Sequence, residues 1–327
     1  MTRTRSLAAS FLSLSAAALL ALCGAGGASA APSGSDDHKA PSVTSAAVDS
    51  AGVADYWTAD RMLSAVPGDV LAGKALERGS ASAGPVEKGS NTKVTATKGR
   101  PALHQDEAAV SHIGKVFFTL AGVNYVCSGN AVSSTNKSTV VTAGHCVNEG
   151  PGAFATNFVF VPAYENGTAP YGKWTAHDLY TTTQWSSAGD MQYDTGFAVM
   201  NPLNGRYLSD AVGASGVEFN AARGLTYKSF GYPAAPPFTG QTLVSCYGAA
   251  SDDRRNPQFN SQGIPCDMTG GSSGGPWFIQ GSTPETSGSN GFQNSINSYG
   301  YSSGSAVMYG PYWGLVIQET YTSAAAA

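Results

Sequence analysis

No histidine lies beyond position 177 in this chain of 327 residues, so any chemistry in its last third that needs an imidazole must borrow one from upstream. There is also no CxxC pair and no histidine cluster, which removes the usual zinc-type ligand sets. Past the first few tens of residues no long unbroken apolar run occurs, so no membrane-spanning helix is expected there. After about residue 107 no long stretch keeps a 3.6-residue apolar period, and helices should be few. Positive charge is scarce as well. Lys and Arg number 18 against 22 Asp and Glu, a net charge of −4, and acidic residues also predominate from Asp106 onward. Such a balance argues against nucleic acid or an anionic membrane as a partner.

What is present begins with a leader. Arg3 and Arg5 precede a Leu/Ala-rich run to about Cys23, and Ala28-Ser29-Ala30 has a small-x-small cleavage pattern. Residues 1–30 therefore read as a secretory signal peptide cut after Ala30. A membrane anchor is the weaker reading, because the run is short and Ser13 and Ser15 interrupt it. With Cys23 lost in the leader, Cys127, Cys146, Cys246 and Cys266 remain, an even number that points to two disulfides with three possible pairings. Residues 31–107 differ in kind: they hold no cysteine and much Ala, Gly, Ser and charge. Only Ala54 to Leu63 looks able to order, as a short helix capped by Thr58.

From residue 108 the pattern is all-β. Val116–Leu120 and Val123–Cys127 flank Ala121-Gly122 as a hairpin. Phe158–Pro162, Thr242–Cys246, Trp277–Gln280 and Trp313–Ile317 are further short runs read as strands, with Gly, Asn, Pro and Ser between them as in barrels or sandwiches. This length suffices for one all-β domain or a two-barrel domain with a substantial core.

The chemistry concentrates in three stretches. Gly270-Gly271-Ser272-Ser273-Gly274-Gly275-Pro276 cannot be helix interior, and its glycines let backbone N–H groups face outward, as an oxyanion pocket requires. Alone it could be an ordinary Gly/Ser turn. Upstream, however, Val140-Val141-Thr142-Ala143-Gly144-His145-Cys146 ends a β-type run on a histidine, and Asp194 leads into the apolar run Phe197–Met200. Histidine, aspartate, serine is one of the chain orders of the serine-hydrolase triad. A serine hydroxyl needs a base to take its proton as it attacks, an imidazole can do so near neutral pH, and a carboxylate holds that imidazole's tautomer.

These blocks resemble the three signatures of the chymotrypsin/trypsin-type serine peptidases, and the wording TGGSSGGPW is closest to the bacterial secreted branch that also holds the glutamyl endopeptidases. The likeness runs from residue 108 to about 320. It implies two six-stranded antiparallel β-barrels with few helices, and a secreted, monomeric serine endopeptidase acting on protein or peptide substrates without cofactor or metal. It also implies a propeptide, largely low-complexity, at 31–107 ahead of a peptidase domain at 108–327. Within that domain it implies a triad of His145, Asp194 and Ser273, with Asp190 the competing carboxylate, and an oxyanion hole from the N–H groups of Gly271 and Ser273. Cys127 should pair with Cys146, clamping the histidine loop, and neighbour pairing joins Cys246 with Cys266; loops of this size contribute about 3 kcal/mol each.

Asn297-Ser298-Tyr299-Gly300 resembles the segment lining the primary pocket. Ser298 should then bond near Asp194, and Tyr299 and Gly300 should form a wall. Asn297 stands where glutamyl endopeptidases carry histidine. Asp267, six positions before Ser273, has the spacing of a pocket-base carboxylate that favours Arg or Lys. Ser272 replaces the aspartate that, in the animal enzymes, pairs with the freed N-terminus, so activation is expected instead by removal of 31–107 from a site already folded. Two rivals remain to be weighed. Gly271-Ser272-Ser273-Gly274-Gly275 also fits an esterase nucleophile elbow, but no helix follows it and every histidine precedes it. The other rival is a catalytically inactive secreted binding protein on the same fold.

Overall fold

The computed structural model describes residues 42–78, 89–94, 108–280, 291–301 and 306–327, so the leader at 1–30 and the boundary near 107 lie outside the described residues. The described elements all fall in one unit, Pro41–Ala327. Upstream of the expected peptidase domain come β1 (Val43–Ala47), α1 (Val53–Tyr56), α2 (Ala59–Ser64), β2 (Val66–Pro67), α3 (Asp69–Glu77) and β3 (Thr92–Val94). Thr58 does cap a helix, its hydroxyl accepting from the Arg61 N–H at 3.3 Å. The helix expected over 54–63 is, however, two short helices broken at Trp57, whose fully buried indole donates to Asn157 O at 2.6 Å. The expectation that nothing else in 31–107 orders is corrected by β1, β2, α3 and β3. Such short elements have little preference of their own and form because a partner surface satisfies them.

The first barrel is built from β4 (Ile113–Leu120), β5 (Val123–Val132), β6 (Thr139–Thr142), β7 (Thr156–Pro162), β8 (Trp174–Thr182) and β9 (Gly196–Met200), with α4 (Thr183–Ala188) between the last two. The antiparallel pairings β4–β5, β5–β6, β6–β9, β9–β8, β8–β7 and β7–β4 return to their start and close the cylinder. Along β4, Val116, Phe118 and Leu120 enter one apolar cluster and Ile113 and Phe117 another; along β7, Phe158 and Phe160 separate in the same way from Val159 and Val161. This period of two sends one set into the barrel and the other outward. The outward set is apolar because it too is covered, by Val53, Trp57 and Met62 on one side and by Phe230 and Phe278 from the second half on the other. Two more pairings bind the upstream segment: β1 lies antiparallel to β8, and β2 parallel to β5.

After α5 (Leu208–Val212) the second half contains β10 (Gly216–Phe219), β11 (Thr226–Gly231), β12 (Val244–Ala249), β13 (Ser251–Asp252), β14 (Gln262–Pro265), β15 (Pro276–Ile279), β16 (Phe292–Ile296) and β17 (Val307–Gly310). One sheet runs β12-β11-β15-β16-β10-β3 and a smaller one β13-β14-β17. The disulfide Cys246–Cys266 joins β12 to the residue after β14, so that each sheet backs the other; Cys127–Cys146 is the second bridge, and both pairings are those expected.

Trp313–Ile317 is not a strand. Trp313 stacks on Phe219, with centroids 5.5 Å apart, and the chain then enters α6 (Leu315–Ala326). Val316, Ile317, Thr320, Tyr321, Ala324 and Ala325 are its buried residues, a spacing of one helical face. A short apolar run does not by itself separate strand from helix; here the Ala-rich continuation, favourable to helix, decides.

Candidate active site

His145 sits on a tight 3-10 turn, Gly144–Cys146, directly after β6, and Cys146 fastens that turn to β5 through Cys127. Asp194 ends a second 3-10 turn, Met191–Tyr193, just before β9, the strand that pairs with β6. The two side chains therefore meet at the same end of neighbouring strands. Asp194 Oδ2 accepts from His145 Nδ1 at 2.8 Å, and Oδ1 accepts from the His145 backbone N–H, also at 2.8 Å. Ser298 Oγ donates to the same Oδ2 at 2.5 Å. Both His145 and Asp194 are wholly buried. An ionised carboxylate only accepts, so the proton sits on Nδ1 and Nε2 presents its lone pair. That Nε2 is buried and has no hydrogen-bond partner among the described residues. Trp185 backs the ring at 6.2 Å. Asp190, the competing carboxylate, instead accepts from Gln192 N–H at 3.1 Å and caps the turn.

Ser273 comes from the other half, on the connection between β14 and β15. Three backbone bonds hold it against the first barrel and the second sheet: Ser128 N–H to Ser273 O at 2.7 Å, Gly274 N–H to Asn297 O at 2.7 Å, and Gly275 N–H to Ser272 O at 2.9 Å. Two glycines here have positive φ as well as close neighbours. Gly274, at φ +81°, would bring a Cβ within 2.2 Å of Thr142 Oγ1, so only glycine lets the serine turn touch the end of β6. Gly271, at φ +95°, faces Tyr232 O and Ala234 N at 2.9 and 3.0 Å from a Cβ position. Neither the Gly271 nor the Ser273 N–H donates a hydrogen bond among the described residues. Ser273 Oγ is not hydrogen-bonded to His145 Nε2, and such bonds often tighten only with substrate bound.

Beside Ser273 opens a cavity of about 650 Å³ lined by Asp267, Ser298, Tyr299 and Gly300, so every residue expected at the primary pocket borders it. Asp267 is exposed to solvent, whereas Met268 and Met308, which also line the cavity, are buried. Tyr299 forms a wall, stacked on Tyr309 with centroids 5.1 Å apart. Burial pushes its phenol pKa well up, and the Asp253 carboxylate adds to that.

Sequence reasoning missed Asp253. Buried, it accepts from Tyr299 OH at 2.9 Å, Tyr301 OH at 2.7 Å and Arg255 N–H at 2.9 Å, and so fixes the pocket wall to the 253–256 loop. No sequence pattern marks it. Asn297 does not reach into the pocket. Its amide donates to Phe230 O at 2.9 Å and Ser272 O at 3.1 Å and accepts from the Trp277 indole at 2.7 Å, which buttresses the serine turn from behind.

Cys127, His145 and Cys146 lie close enough to suggest a metal site. The two sulfurs are joined to each other and Nδ1 is taken by Asp194, so these atoms do not fit a metal.

No protein-family model matches the chain. A local match, 34% identical over 77 residues, links it to an extracellular metalloprotease of Bacillus subtilis (strain 168), and the chain spans about a quarter (24%) of that relative. Solved structures extend further. Protease Anisep from Arthrobacter nicotinovorans is 66% identical at a TM-score of 0.64, covering 72% of this chain and 100% of its own. The thermostable serine protease AL20 from an extremophilic microorganism is 48% identical at 0.62, covering 66% and 98%. A Glu endopeptidase solved in complex with MPD shares the fold at 19% identity and a TM-score of 0.52, over 74% and 98%. Among the described residues no helix is long and apolar enough to cross a membrane.

Proposed function

The chain belongs to the chymotrypsin-like serine proteases, and we propose that it is a secreted endopeptidase that cuts protein or peptide substrates through Ser273, His145 and Asp194. Residues 1–30 are its leader, 31–107 its propeptide and 108–327 its peptidase domain, acting as a monomer. The observation that carries this reading is the buried bond from His145 Nδ1 to Asp194, which leaves Nε2 without a partner among the described residues, while the same carboxylate is tied through Ser298 to the cavity that Ser273 also lines.

Nε2 takes the Ser273 proton as Oγ attacks the carbonyl carbon, and Asp194 stabilises the imidazolium that forms. The N–H groups of Gly271 and Ser273, which have no acceptor among the described residues, hold the oxyanion; losing one such donor typically costs about 3 kcal/mol of transition-state stabilisation. Nε2 then gives the proton to the leaving amine, and water, activated by the same nitrogen, releases the acyl group from Ser273. Ser298 positions Asp194, while Tyr299, Gly300 and Asp267 border the pocket for the substrate side chain.

A fluorophosphonate probe tests the assignment. The processed protein should be labelled once per chain, and Ser273→Ala should take no label. Labelling that survives this change moves the nucleophile elsewhere, and a processed protein that never labels supports an inactive binding role.

A further inference from the structure

Across the cavity beside Ser273 lies α3. Asp69, Ala72, Gly73, Leu76 and Glu77 form part of the cavity wall, and their spacing places them on one face of the helix. Lys74, on the opposite side, is exposed. Ala72 and Ala75 are buried with Trp185, Phe259, Tyr299 and Tyr309, against the pocket wall itself.

Both ends of the helix are fastened. At its start Asp69 rests on the serine turn: a Cβ on Gly270 would fall 2.0 Å from Asp69 Oδ1. The same carboxylate stands within the electrostatic reach of His145, which pulls its pKa down against the larger upward push of burial. At its end Arg78 donates to Gly150 O, in the loop that follows the histidine turn. The helix thus bridges the serine side and the histidine side of the cleft.

A second attachment lies upstream. Trp57 packs on Phe117, with centroids 5.4 Å apart, in the cluster that also takes Val53, Met62 and Ala65. From there β2 runs beside β5, and the Gly68 N–H donates to Val126 O at 2.9 Å, which delivers the chain to the start of α3.

We infer that residues 42–78 are a tethered inhibitor of this cleft, held at two places: the Trp57 cluster grips the outer wall of the first barrel, and the face of α3 that carries Asp69, Ala72, Gly73 and Leu76 covers the pocket beside Ser273. The inference rests on the peptidase reading of the site. A helix blocks here without being a substrate. The N–H and C=O groups in its middle are spent on bonds within the helix and its backbone is coiled, not extended, so this stretch cannot lie along Tyr299-Gly300 and offer a peptide bond to Ser273. Opening the cleft requires α3 to lift, and the Trp57 cluster keeps the helix near its seat after it does.

The test uses the full chain and a small fluorophosphonate, with labelling rate read on the uncut band. Ala72→Arg drives a long charged side chain into the pocket wall and should speed labelling at least tenfold. Trp57→Ala, which touches nothing in the cleft, should also speed it at least tenfold. Gly73 has open space where a Cβ would stand, so Gly73→Ala adds helix preference without a clash and should slow labelling about two- to fivefold. That third variant keeps the test decisive if either of the others fails to fold. Lys74→Gln, facing solvent, should change nothing. Equal rates in wild type and all variants would overturn the inhibitor while leaving the peptidase reading intact. No label on any chain, Ala72→Arg and Trp57→Ala included, would remove the peptidase reading and the inhibitor with it.

Discussion

Replacing Asp194 by Asn keeps the shape of the side chain and changes only what its atoms can donate. The carboxylate accepts three hydrogen bonds, from His145 N and Nδ1 at 2.8 Å each and from Ser298 Oγ at 2.5 Å. The amide must turn its NH2 toward one of two places. Facing the His145 backbone N–H, it would set two donors against each other in a fully buried site, at a cost of about 1–3 kcal/mol. Facing Oδ2's partners, it meets a hydroxyl that can rotate to accept and an imidazole that can move its proton to Nε2. The second arrangement is the cheaper, and it leaves Nε2 protonated, unable to act as the base. The expected loss is about ten-thousand-fold in kcat at neutral pH, or about 5 kcal/mol at 1.36 kcal/mol per decade. It should be measured on the processed protein with a peptide substrate, with thermal unfolding as the control for folding. A loss of less than about tenfold, or a comparable loss only in Asp190→Asn, would refute the tautomer argument.

Ser298→Ala removes one donor to the ionised Asp194 and should cost about 1.5–3 kcal/mol, read as a tenfold or greater fall in kcat/KM with KM little changed. Gly270→Ala places a methyl where Asp69 now sits, so the full chain should take fluorophosphonate faster; an unchanged rate would mean that Asp69 does not hold α3 down. Replacing both Cys127 and Cys146 by Ser opens a loop whose ends are 19 residues apart, and denaturant titration should show a loss of about 3 kcal/mol. Lys115 is buried, and burial lowers its pKa from 10.5 to about 8. Below pH 8 it is charged in both folded and unfolded states and burdens the fold. Between pH 8 and 10.5 only the unfolded chain stays protonated, so stability relative to Lys115→Met should rise with pH across that window, by up to about 3 kcal/mol, and a flat difference would contradict it.

The three signature stretches were legible because each is local. A glycine-rich turn, a histidine after a β run and an aspartate before one are set by backbone sterics within a few residues, and the structure finds β6, β9 and the 269–275 turn where those patterns lie. The Ala121-Gly122 hairpin was readable for the same reason, with φ of 47° and 77° at its two positions. Trp313–Ile317 was misread because so short an apolar run fits strand or helix equally; the Ala-rich continuation favours helix, and packing such as that of Tyr321 against Phe219, 5.3 Å away, seats it.

Upstream, the composition of residues 31–107 concealed β1 and α3, since their order comes from strands and pockets distant in the chain. Asp69 and Asp253 had no signal at all: neither sits in a pattern, and each matters through what it meets. The sequence by itself determined which residue types were available for the chemistry and that each stood on a turn or strand end, because short-range geometry needs only neighbours. Tertiary structure alone decided that the imidazole faces Asp194 rather than Asp190, that Tyr299 is braced by a buried carboxylate, and that a helix from before the first barrel borders the cleft. Those outcomes follow from burial and hydrogen bonding summed over residues far apart in the chain, which no local pattern contains.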